Sequence, residues 1–469
     1  MRILALESST ASAKAMYYDT ETKESQVYTE SYGAMYADGT LHDTKVVFEK
    51  TAAAGRKVLQ GRGADVVSLC STWHSIGLFD DDLEPVTPMY PWSYTGASEI
   101  CRELRKDAAF AERYYRTTGC MVNATYPFFK LLYLKEQGFD LAKYRPMGQG
   151  VYNTFRLTGR RVATRCMASG SGLLDICRKT YASEFLKAAG IPEDRLPELI
   201  GAERMYPLTE DGAKALGIKA GTPVIPANAD GGLNQIGVGA LKKGVMTFSV
   251  GTSGAIRLTA EKAVTPSHPS TWCYLSPKSY LSGAAVAGCC SCIDWFRNQV
   301  GNGWSYAQLE AKAAEAADTP VFLPFLFGER CPGWNDERTG GFCRLKPEHG
   351  IGAMYRSVQE GVLFNLYHCY QLLTEVNEEP QRIRLSGGIL HSEMWTQMCA
   401  DIFNREMEVD EVQQGSLMGA VVLAMDLMGI VKAENFTAAP GRILRPDPKN
   451  AEIYREKFQR YLSYYRMEA

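Results

Sequence analysis

Two hairpins with hydroxyl-rich tips constrain the fold of this chain more than any other sequence feature. Near the middle, the strand-like run 245–250 ends in the turn 251–254 (Gly-Thr-Ser-Gly) and then returns. At the start, the apolar run 2–6 ends in 7–12 (Glu-Ser-Ser-Thr-Ala-Ser) and returns as a strand that ends at Asp19. Such tips leave backbone N–H groups and hydroxyls free to face an anion, although a single copy is equally typical of a turn with no ligand. Two copies, far apart in sequence, predict two similar domains that each contribute one anion clamp.

One carboxylate, Asp230, lies in a turn before the second hairpin. It follows the short apolar run 222–225, precedes two glycines, and leads into a small-residue helix predicted over 233–241. A hydroxyl group can approach a carboxylate closely in a glycine-flanked turn, which suits a general base. The residue types alone leave a second role equally open, in which Asp230 caps the helix that begins near Gly231.

Length and charge narrow the classes of protein that fit. A chain of 469 residues exceeds what one hydrophobic core usually fills, so two domains are predicted, over 1–243 and 244–469. The net charge of −2 gives no reason to expect a nucleic-acid partner or an anionic membrane surface. The most apolar window, 417–431, is about fifteen residues long, too short to span a bilayer, and predicts a buried helix.

The cysteines indicate a reducing compartment rather than a metal-binding site. Thirteen cysteines in a long chain that opens without a signal peptide predict reduced thiols in a cytoplasm. Three of them cluster at Cys289, Cys290 and Cys292. Their spacing is not that of a zinc site, and alanine and glycine surround them, so buried small residues are favoured over a metal centre.

A tryptophan and a histidine follow the strand predicted over 65–70, in the segment 71–75 (Ser-Thr-Trp-His-Ser). Ligands collect at the carboxyl ends of strands in open α/β sheets. Trp73 could pack on the C–H face of a sugar while His74 bonds a hydroxyl. A structural tryptophan beside a hydrogen-bonded core histidine is the alternative, and the residue types alone slightly favour it.

Six segments, in order along the chain, resemble motifs of the FGGY family of carbohydrate kinases. They are LALESSTASAKAMYYD at 4–19, ANADGGLNQIGVGA at 227–240, FSVGTSGAIR at 248–257, LPFLFGERCPGWNDERTGGF at 323–342, MYRSVQEGVLF at 354–364 and RLSGGILHSEMWTQMCADIFNREMEV at 384–409. The resemblance implies an α/β fold of two ribonuclease-H-like (actin-like ATPase) domains that flank a central cleft. It also implies ATP-dependent phosphorylation of a sugar hydroxyl, with ATP and Mg²⁺ as cofactors.

The resemblance assigns roles to individual residues of this chain. Asp230 would be the general base and would support Mg²⁺ together with Glu7. The phosphates and adenosine would be held by Thr10, Ser12, Lys14, Gly251, Thr252, Ser253, Gly387, Gly388 and Ser392. The sugar would contact Trp73, His74, Trp92 and Asp230.

Several positions depart from the family pattern. Glu7 stands where relatives have aspartate, and Ser9 replaces a glycine, which restricts the first turn. Tyr94 and Gly96 replace an aspartate and an arginine, so we expect a less charged sugar site. Lys14 either adds positive charge at the phosphates or pairs with Asp19.

Two further positions leave alternatives open, and one further segment has a structural prediction. Lys130 either reaches an acidic substrate or, as is commoner, lies on a helix surface. Glu329 and Arg330 either serve the site or pair with each other to shape their loop. The segment 151–176 is predicted to form a turn, a short strand and a small-residue loop.

The segments 71–80, 118–136 and 221–257 are most similar to gluconokinases. A sugar acid such as gluconate is therefore the favoured substrate, and a xylulose- or glycerol-type polyol is the runner-up. An actin-like ATP-binding sensor without kinase activity is the alternative from another class. The expected partner is a small-molecule sugar or sugar acid, without nucleic acid or membrane, and a homodimer is one option for assembly.

Overall fold

The computed structural model describes residues 1–409, 414–438 and 441–467. The first half contains β1 (Arg2–Ser8), β2 (Ser12–Asp19), β3 (Ser25–Ser31), α1 (Thr44–Leu59), β4 (Val66–Ser71), β5 (Gly77–Phe79), α2 (Ser98–Arg105), α3 (Ala108–Thr118), α4 (Pro127–Glu136), β6 (Arg145–Met147), α5 (Gln149–Thr158), β7 (Val162–Thr164), α6 (Arg165–Ser169), β8 (Leu174–Asp175), β9 (Thr180–Tyr181), α7 (Ser183–Ala189), β10 (Glu198–Ile200), β11 (Tyr206–Pro207), α8 (Glu210–Leu216), β12 (Pro223–Ala229) and α9 (Asp230–Gly237).

The second half contains β13 (Val245–Val250), β14 (Gly254–Ala260), β15 (Trp272–Leu275), β16 (Tyr280–Val286), α10 (Cys290–Trp295), α11 (Tyr306–Ala314), β17 (Val321–Leu323), β18 (Gly341–Cys343), α12 (Ile351–Thr374), β19 (Arg382–Ser386), α13 (Glu393–Phe403), β20 (Met407–Val409), α14 (Gly415–Leu427), β21 (Ile443–Leu444) and α15 (Pro448–Met467).

The two halves contain main sheets of the same design. In the first sheet the order is β11-β12-β4-β1-β2-β3, with β1 antiparallel to β2 and parallel to β4. In the second the order is β15-β16-β14-β13-β19-β20-β21, with β13 antiparallel to β14 and parallel to β19. Each predicted hairpin is therefore the antiparallel pair that opens a sheet. The repeated design agrees with two similar domains, whereas their boundary at 243 and 244 stays a prediction.

The parallel strands of the first sheet are buried almost along their whole length. β1, β4 and β12 carry runs of valine, isoleucine, leucine and alanine, as expected for strands covered on both faces. Their carboxyl ends meet at one edge of the sheet, because Ser8 pairs with Ser71 and Ser71 with Ala229. That edge delivers the first hairpin turn, the segment 71–75 and Asp230 to one place.

Helix α14, from the second half of the chain, packs against α9 and the first sheet. Leu417, Ala420 and Val421 join the apolar cluster that includes Ile3 and Ile236. The contact is close because glycines form it: a Cβ at residue 419 would lie 1.8 Å from the Leu233 carbonyl oxygen, and one at residue 237 would lie 2.0 Å from that of Gly415. The buried helix predicted in 417–431 is thus confirmed as far as Leu427, whereas residues 428–431 lie beyond the helix and are exposed. Within the described ranges, no helix is long and apolar enough to cross a bilayer.

The loop-rich structure predicted for 151–176 is wrong at its start, because residues 149–158 form helix α5. Polar residues on this helix are buried and bonded within the protein, which hides its periodicity. The Gln149 amide donates to the Thr44 carbonyl oxygen at 3.1 Å, and the Asn153 amide donates to the Ser8 hydroxyl at 3.2 Å. These bonds connect α5 to the strand edge that carries the first hairpin.

Candidate active site

The turn of the first hairpin is held by its own hydroxyls. The Ser9 hydroxyl donates to the Ser12 carbonyl oxygen at 2.7 Å and lies 3.1 Å from the Ser12 hydroxyl. Ser9 has an ordinary negative φ, so serine fits here without the strain that a left-handed position would cause. The Thr10 hydroxyl accepts a hydrogen bond from the Trp92 indole at 2.8 Å. A predicted phosphate ligand and a predicted sugar contact are therefore bonded to each other.

Glu7 is buried at the end of β1. One oxygen accepts from the Ser416 hydroxyl of α14 at 2.7 Å, and the other lies 3.8 Å from the Lys14 ammonium, directly across the ladder. The alternative pairing of Lys14 with Asp19 is wrong, because the Asp19 carboxylate accepts from the Glu21 amide at the far end of β2. Lys14 thus brings its positive charge to the carboxylate that was predicted to support a metal.

The second hairpin leaves its side-chain hydroxyls open. At its tip, the Gly251 amide donates to the Ser253 carbonyl oxygen at 2.9 Å. The carbonyl oxygens of Gly251 and Thr252 are bonded by the start of α10, since the Cys290 amide and the Ser291 hydroxyl donate to them at 2.8 and 2.9 Å. Thr252 is exposed and Ser253 is partly exposed, and no described residue bonds either hydroxyl. The backbone of the tip is therefore bonded to the start of α10, whereas the side-chain hydroxyls of the tip are free.

The predicted adenosine segment lies beside this hairpin. Gly387 follows β19, which pairs with β13, and has a φ of +99°. A Cβ at this position would lie 2.5 Å from the Val250 carbonyl oxygen, so only glycine fits. Gly388 begins the short turn that leads to Ser392, which caps α13 by accepting from the Trp395 amide. The Ser392 hydroxyl thus has a structural role already.

Asp230 is the first residue of α9, at the end of β12. Its carboxylate accepts from the Gly231 amide at 2.7 Å, so it also satisfies a backbone donor of the helix start. Burial and, second, the nearby Glu7 charge together raise the pKa of Asp230 to about 6, whereas the hydrogen bond from Gly231 and the charge of Arg257 oppose the shift. A carboxylate with this pKa exchanges protons near neutral pH, which suits a general base.

Trp73 is buried beneath Asp230. Its indole donates to the Cys166 carbonyl oxygen at 2.8 Å, and its ring packs against Trp272 and Tyr274. A Cβ at Gly231 would lie 2.6 Å from the Trp73 ring, so the glycine lets the ring approach the start of α9. The ring thus forms a floor under this part of the site.

His74 is neutral in the folded protein. Its Nδ1 lies 2.5 Å from the Gly170 carbonyl oxygen, and φ is +68°. Burial, with smaller contributions from the charges of Arg330 and Lys130, lowers the pKa of His74 to about 3, although the bond to Gly170 favours protonation. Because a carbonyl oxygen can only accept, Nδ1 carries the proton and Nε2 is an acceptor.

Both interpretations of Lys130 are wrong, because this lysine is fully buried and bonded to backbone. Its ammonium donates to the carbonyl oxygens of His74, Pro91 and Thr125 at 2.9, 2.6 and 2.8 Å. Burial holds its pKa well below the usual range. One side chain therefore joins the loop of His74 to the loop of Trp92.

Two arginines complete the site and received no firm role from the sequence. Arg257 lies on β14, and its Nε would be 3.3 Å from a Cβ at Gly231. Arg330 lies over the rings of Trp92 and Trp334, at 5.6 and 5.8 Å from their centroids. The signal for Arg257 was a charge inside an apolar strand. The residues that Arg257 faces could not be predicted, because they depend on how the two sheets are placed together.

The loop after β17 corrects the predicted pairing of Glu329 with Arg330. The buried Glu329 carboxylate instead accepts from Arg338 at 2.8 Å and from the Tyr465 hydroxyl at 2.7 Å. Glu329 therefore fixes the loop, and Arg330 is left to face the site.

Tyr94 and Gly96 pack together outside the charged part of the site. The Tyr94 ring contacts those of Tyr90 and Tyr133 at 4.8 and 5.9 Å, and a Cβ at Gly96 would lie 2.3 Å from the Tyr94 hydroxyl. The expectation of a less charged site left out Arg257 and Arg330, which supply positive charge from the other half of the chain.

Comparison with known proteins supports one family. Residues 2–237 and 246–427 match the models of the N-terminal and C-terminal domains of the FGGY family of carbohydrate kinases. A gluconokinase of Bacillus subtilis (strain 168) is 30% identical over 395 residues, which are 80% of this chain and 76% of the relative.

Two solved structures from Lactobacillus acidophilus cover 99% of this chain and 97% of their own, each at 29% identity. They are a ligand-bound xylulose kinase, with a TM-score of 0.94, and a gluconate kinase, with a TM-score of 0.93. The family and the actin-like fold class predicted from the motifs are confirmed. The names of the relatives do not separate a sugar acid from a neutral ketose.

Proposed function

Because this chain belongs to the FGGY family of carbohydrate kinases, we propose that it transfers the γ-phosphoryl group of ATP to a hydroxyl of a sugar acid such as gluconate, with Asp230 as the general base. Sugar phosphorylation with ATP as donor follows from the family. The substrate class and the roles of individual residues are the proposal.

One observation carries the role of Asp230. Its carboxylate lies where the edge of the first sheet meets the second half of the chain, near Glu7 of β1 and Arg257 of β14. Phosphoryl transfer asks a protein mainly for positioning, for positive charge, and for a group that accepts the hydroxyl proton. With a pKa of about 6, Asp230 is mostly ionised at neutral pH and can accept that proton.

The other residues of the site fit binding roles. Thr10, Ser12, Thr252 and Ser253 supply hydroxyls and backbone N–H groups for the phosphates, and Lys14 supplies a positive charge. Gly387 and Gly388 would place backbone beside the adenosine, and Ser392 shapes their turn. For the sugar, Trp73 supplies an apolar floor, His74 an acceptor nitrogen and Trp92 an aromatic ring.

Glu7 and Asp230 would hold Mg²⁺. Two carboxylates close enough for one charge to raise the pKa of the other are an arrangement that a divalent cation relieves. Mg²⁺ prefers carboxylate oxygens, water and phosphate, which this part of the site offers. When bound, it would neutralise phosphate charge.

A cytoplasmic location and assembly as a homodimer complete the proposal, and light scattering on the purified protein tests the assembly.

Turnover on a panel of compounds tests the proposal. We expect ADP release from ATP and Mg²⁺ with D-gluconate to exceed that with D-xylulose, glycerol or D-glucose. Asp230→Ala should reduce kcat by ~10²–10⁴-fold, because general-base catalysis contributes that much. Asp211→Ala, at an exposed aspartate on α8, is the matched control and should behave as wild type.

Each other result points to a specific alternative. A preference for xylulose or glycerol would move the substrate class to neutral polyols. Undiminished turnover by Asp230→Ala would exclude this carboxylate as the base. ATP binding without turnover on any compound would favour a non-catalytic sensor.

A further inference from the structure

Arg257 lies beside Asp230, and Arg330, from a different element, lies close enough to Arg257 for the two charges to interact. Arg257 is on β14, three residues beyond Gly254, so its backbone lies about 10 Å along the strand from the tip of the second hairpin. Arg330 is in the loop after β17 and reaches toward His74, whose pKa it helps to lower. Neither backbone therefore belongs to the two predicted phosphate turns.

Small residues surround the Arg257 side chain on β14 and at the start of α9. Ala255, Arg257 and Thr259 share one face of β14, since side chains alternate along a strand. That face meets α9, because the Gln235 amide donates to the Thr259 hydroxyl. Ala255 is the small neighbour of Arg257 on this face, and the missing side chain of Gly231 lets both the Trp73 ring and the Arg257 guanidinium pack close to the start of α9.

Neither guanidinium is neutralised by a partner. In the described part of the chain, no carboxylate lies within 4.0 Å of Arg257 or Arg330, and the buried Nε of each has no hydrogen-bond acceptor, as is also true of the Arg338 Nε. Elsewhere in the same loop, Arg338 is paired with Glu329. Both arginines are only partly exposed, and a charge held in such a place is usually paired, so two without a carboxylate partner are suited to bind an anion.

The surroundings strengthen an interaction with an anion. Trp92 and Trp334 lie beside Arg330 and exclude water from its faces. Burial lowers the pKa of Arg257, and the positive charge of Arg330 lowers it further, although Asp230 opposes this. Each arginine thus raises the cost of the other's charge, and a bound carboxylate would compensate both.

We propose that Arg257 and Arg330 together bind the carboxylate of the substrate and thereby select a sugar acid over a neutral sugar. The inference rests on the proposed kinase function and adds the residues that determine its specificity. A carboxylate is planar with two acceptor oxygens, which matches the forked donors of guanidinium groups. The acceptor hydroxyl of the same molecule would then lie toward Asp230.

Substrate binding without nucleotide gives a readout that is independent of catalysis. We expect calorimetry to detect D-gluconate binding to the wild-type protein, and Arg257→Met to weaken it by about 10- to 150-fold, the value of a charge-assisted hydrogen bond. Arg257→Lys should lose less, because it keeps the charge but not the fork. Arg204→Met, at an exposed arginine, is the matched control and should bind like wild type.

Kinetics then separates this inference from the proposed function. The ratio of kcat/KM for gluconate to that for xylulose should fall by the same factor in Arg257→Met, whereas Asp230→Ala should lose turnover but still bind gluconate. Should Arg257→Met fail to fold, as judged by circular dichroism, Arg330→Met and Arg257→Lys provide the same comparison.

Two results would overturn the inference. One is gluconate binding by Arg257→Met and Arg330→Met with wild-type affinity. The other is a wild-type protein that binds xylulose or glycerol but not gluconate. The kinase proposal would survive either result if a sugar is phosphorylated in an Asp230-dependent way, and would fail only if none is.

Discussion

The side of the site that we propose binds the sugar, with Trp73, His74 and Trp92 and with Lys130 bonded to their loops, contains polar groups that are largely bonded within the protein. On the proposed nucleotide side, the turn 251–254 leaves its hydroxyls free. The two glycines at 387 and 388 bring backbone close to the space proposed for the nucleotide. The difference indicates that the sugar side is rigid before substrate arrives. The shape of the proposed nucleotide side depends instead on glycines, which have no side chain.

The largest effect should come from adding one methyl group on the nucleotide side. Gly387→Ala introduces both the strain of a positive φ and a clash with the Val250 carbonyl oxygen, so it should lower the free energy of unfolding by about 2–5 kcal/mol. Gly303→Ala is the matched control, because Gly303 also has a positive φ but open space around it, and should cost only about 1–2 kcal/mol. Chemical denaturation measures both. Equal losses would mean that the close approach to Val250 is unimportant.

Acid should weaken the sugar side through His74. Its folded pKa of about 3 lies below the unfolded value of 6.5, so the unfolded state binds more protons between these values. The contribution is complete above pH 6.5 and is lost progressively as the pH falls toward 3. Between pH 7.5 and 5 the free energy of unfolding should drop by about 2 kcal/mol because of this residue. His74→Gln should show a correspondingly flatter profile.

His268→Gln, at an exposed histidine, is the control for this profile and should keep the wild-type slope. If His74→Gln kept that slope as well, the histidine would be protonated or accessible in the folded state, contrary to the burial that lowers its pKa.

The smallest effects should come from single hydroxyls and should sharpen the contrast between the two hairpins. Thr252→Val removes a free hydroxyl and should raise KM for ATP by ~10-fold while leaving KM for the sugar unchanged. Thr10→Val also removes the bond to Trp92, so it should raise both KM values by ~3-fold. Steady-state kinetics with either substrate varied measures this. Identical patterns in the two variants would show that the hairpins are equivalent.

Much of this architecture could be predicted from the sequence, because local patterns encode it. Both hairpins follow from apolar runs interrupted by small hydroxyl residues, and Asp230 follows from its glycine-flanked turn. Helix α5 could not be predicted in the same way, since Gln149 and Asn153 are polar yet buried. Their hydrogen bonds depend on strands that are distant in sequence.

The charged residues of the site were the least predictable. Lys130 is buried because three carbonyl oxygens surround it, and those belong to separate loops. Arg257 and Arg330 meet because β14 and the loop after β17 are placed together by the second half of the chain. The sequence contains both arginines but does not specify that neither has a carboxylate partner among the described residues.

The glycine contact between α9 and α14 has a consequence for dividing the gene. Cutting the chain between residues 243 and 244 would separate Leu233 and Ile236 from Leu417 and Val421, which form one apolar cluster. Each fragment expressed alone would expose its part of that cluster and aggregate. Co-expressed fragments would regain solubility by associating through this contact, and enzyme activity would then report whether the two polypeptides had met.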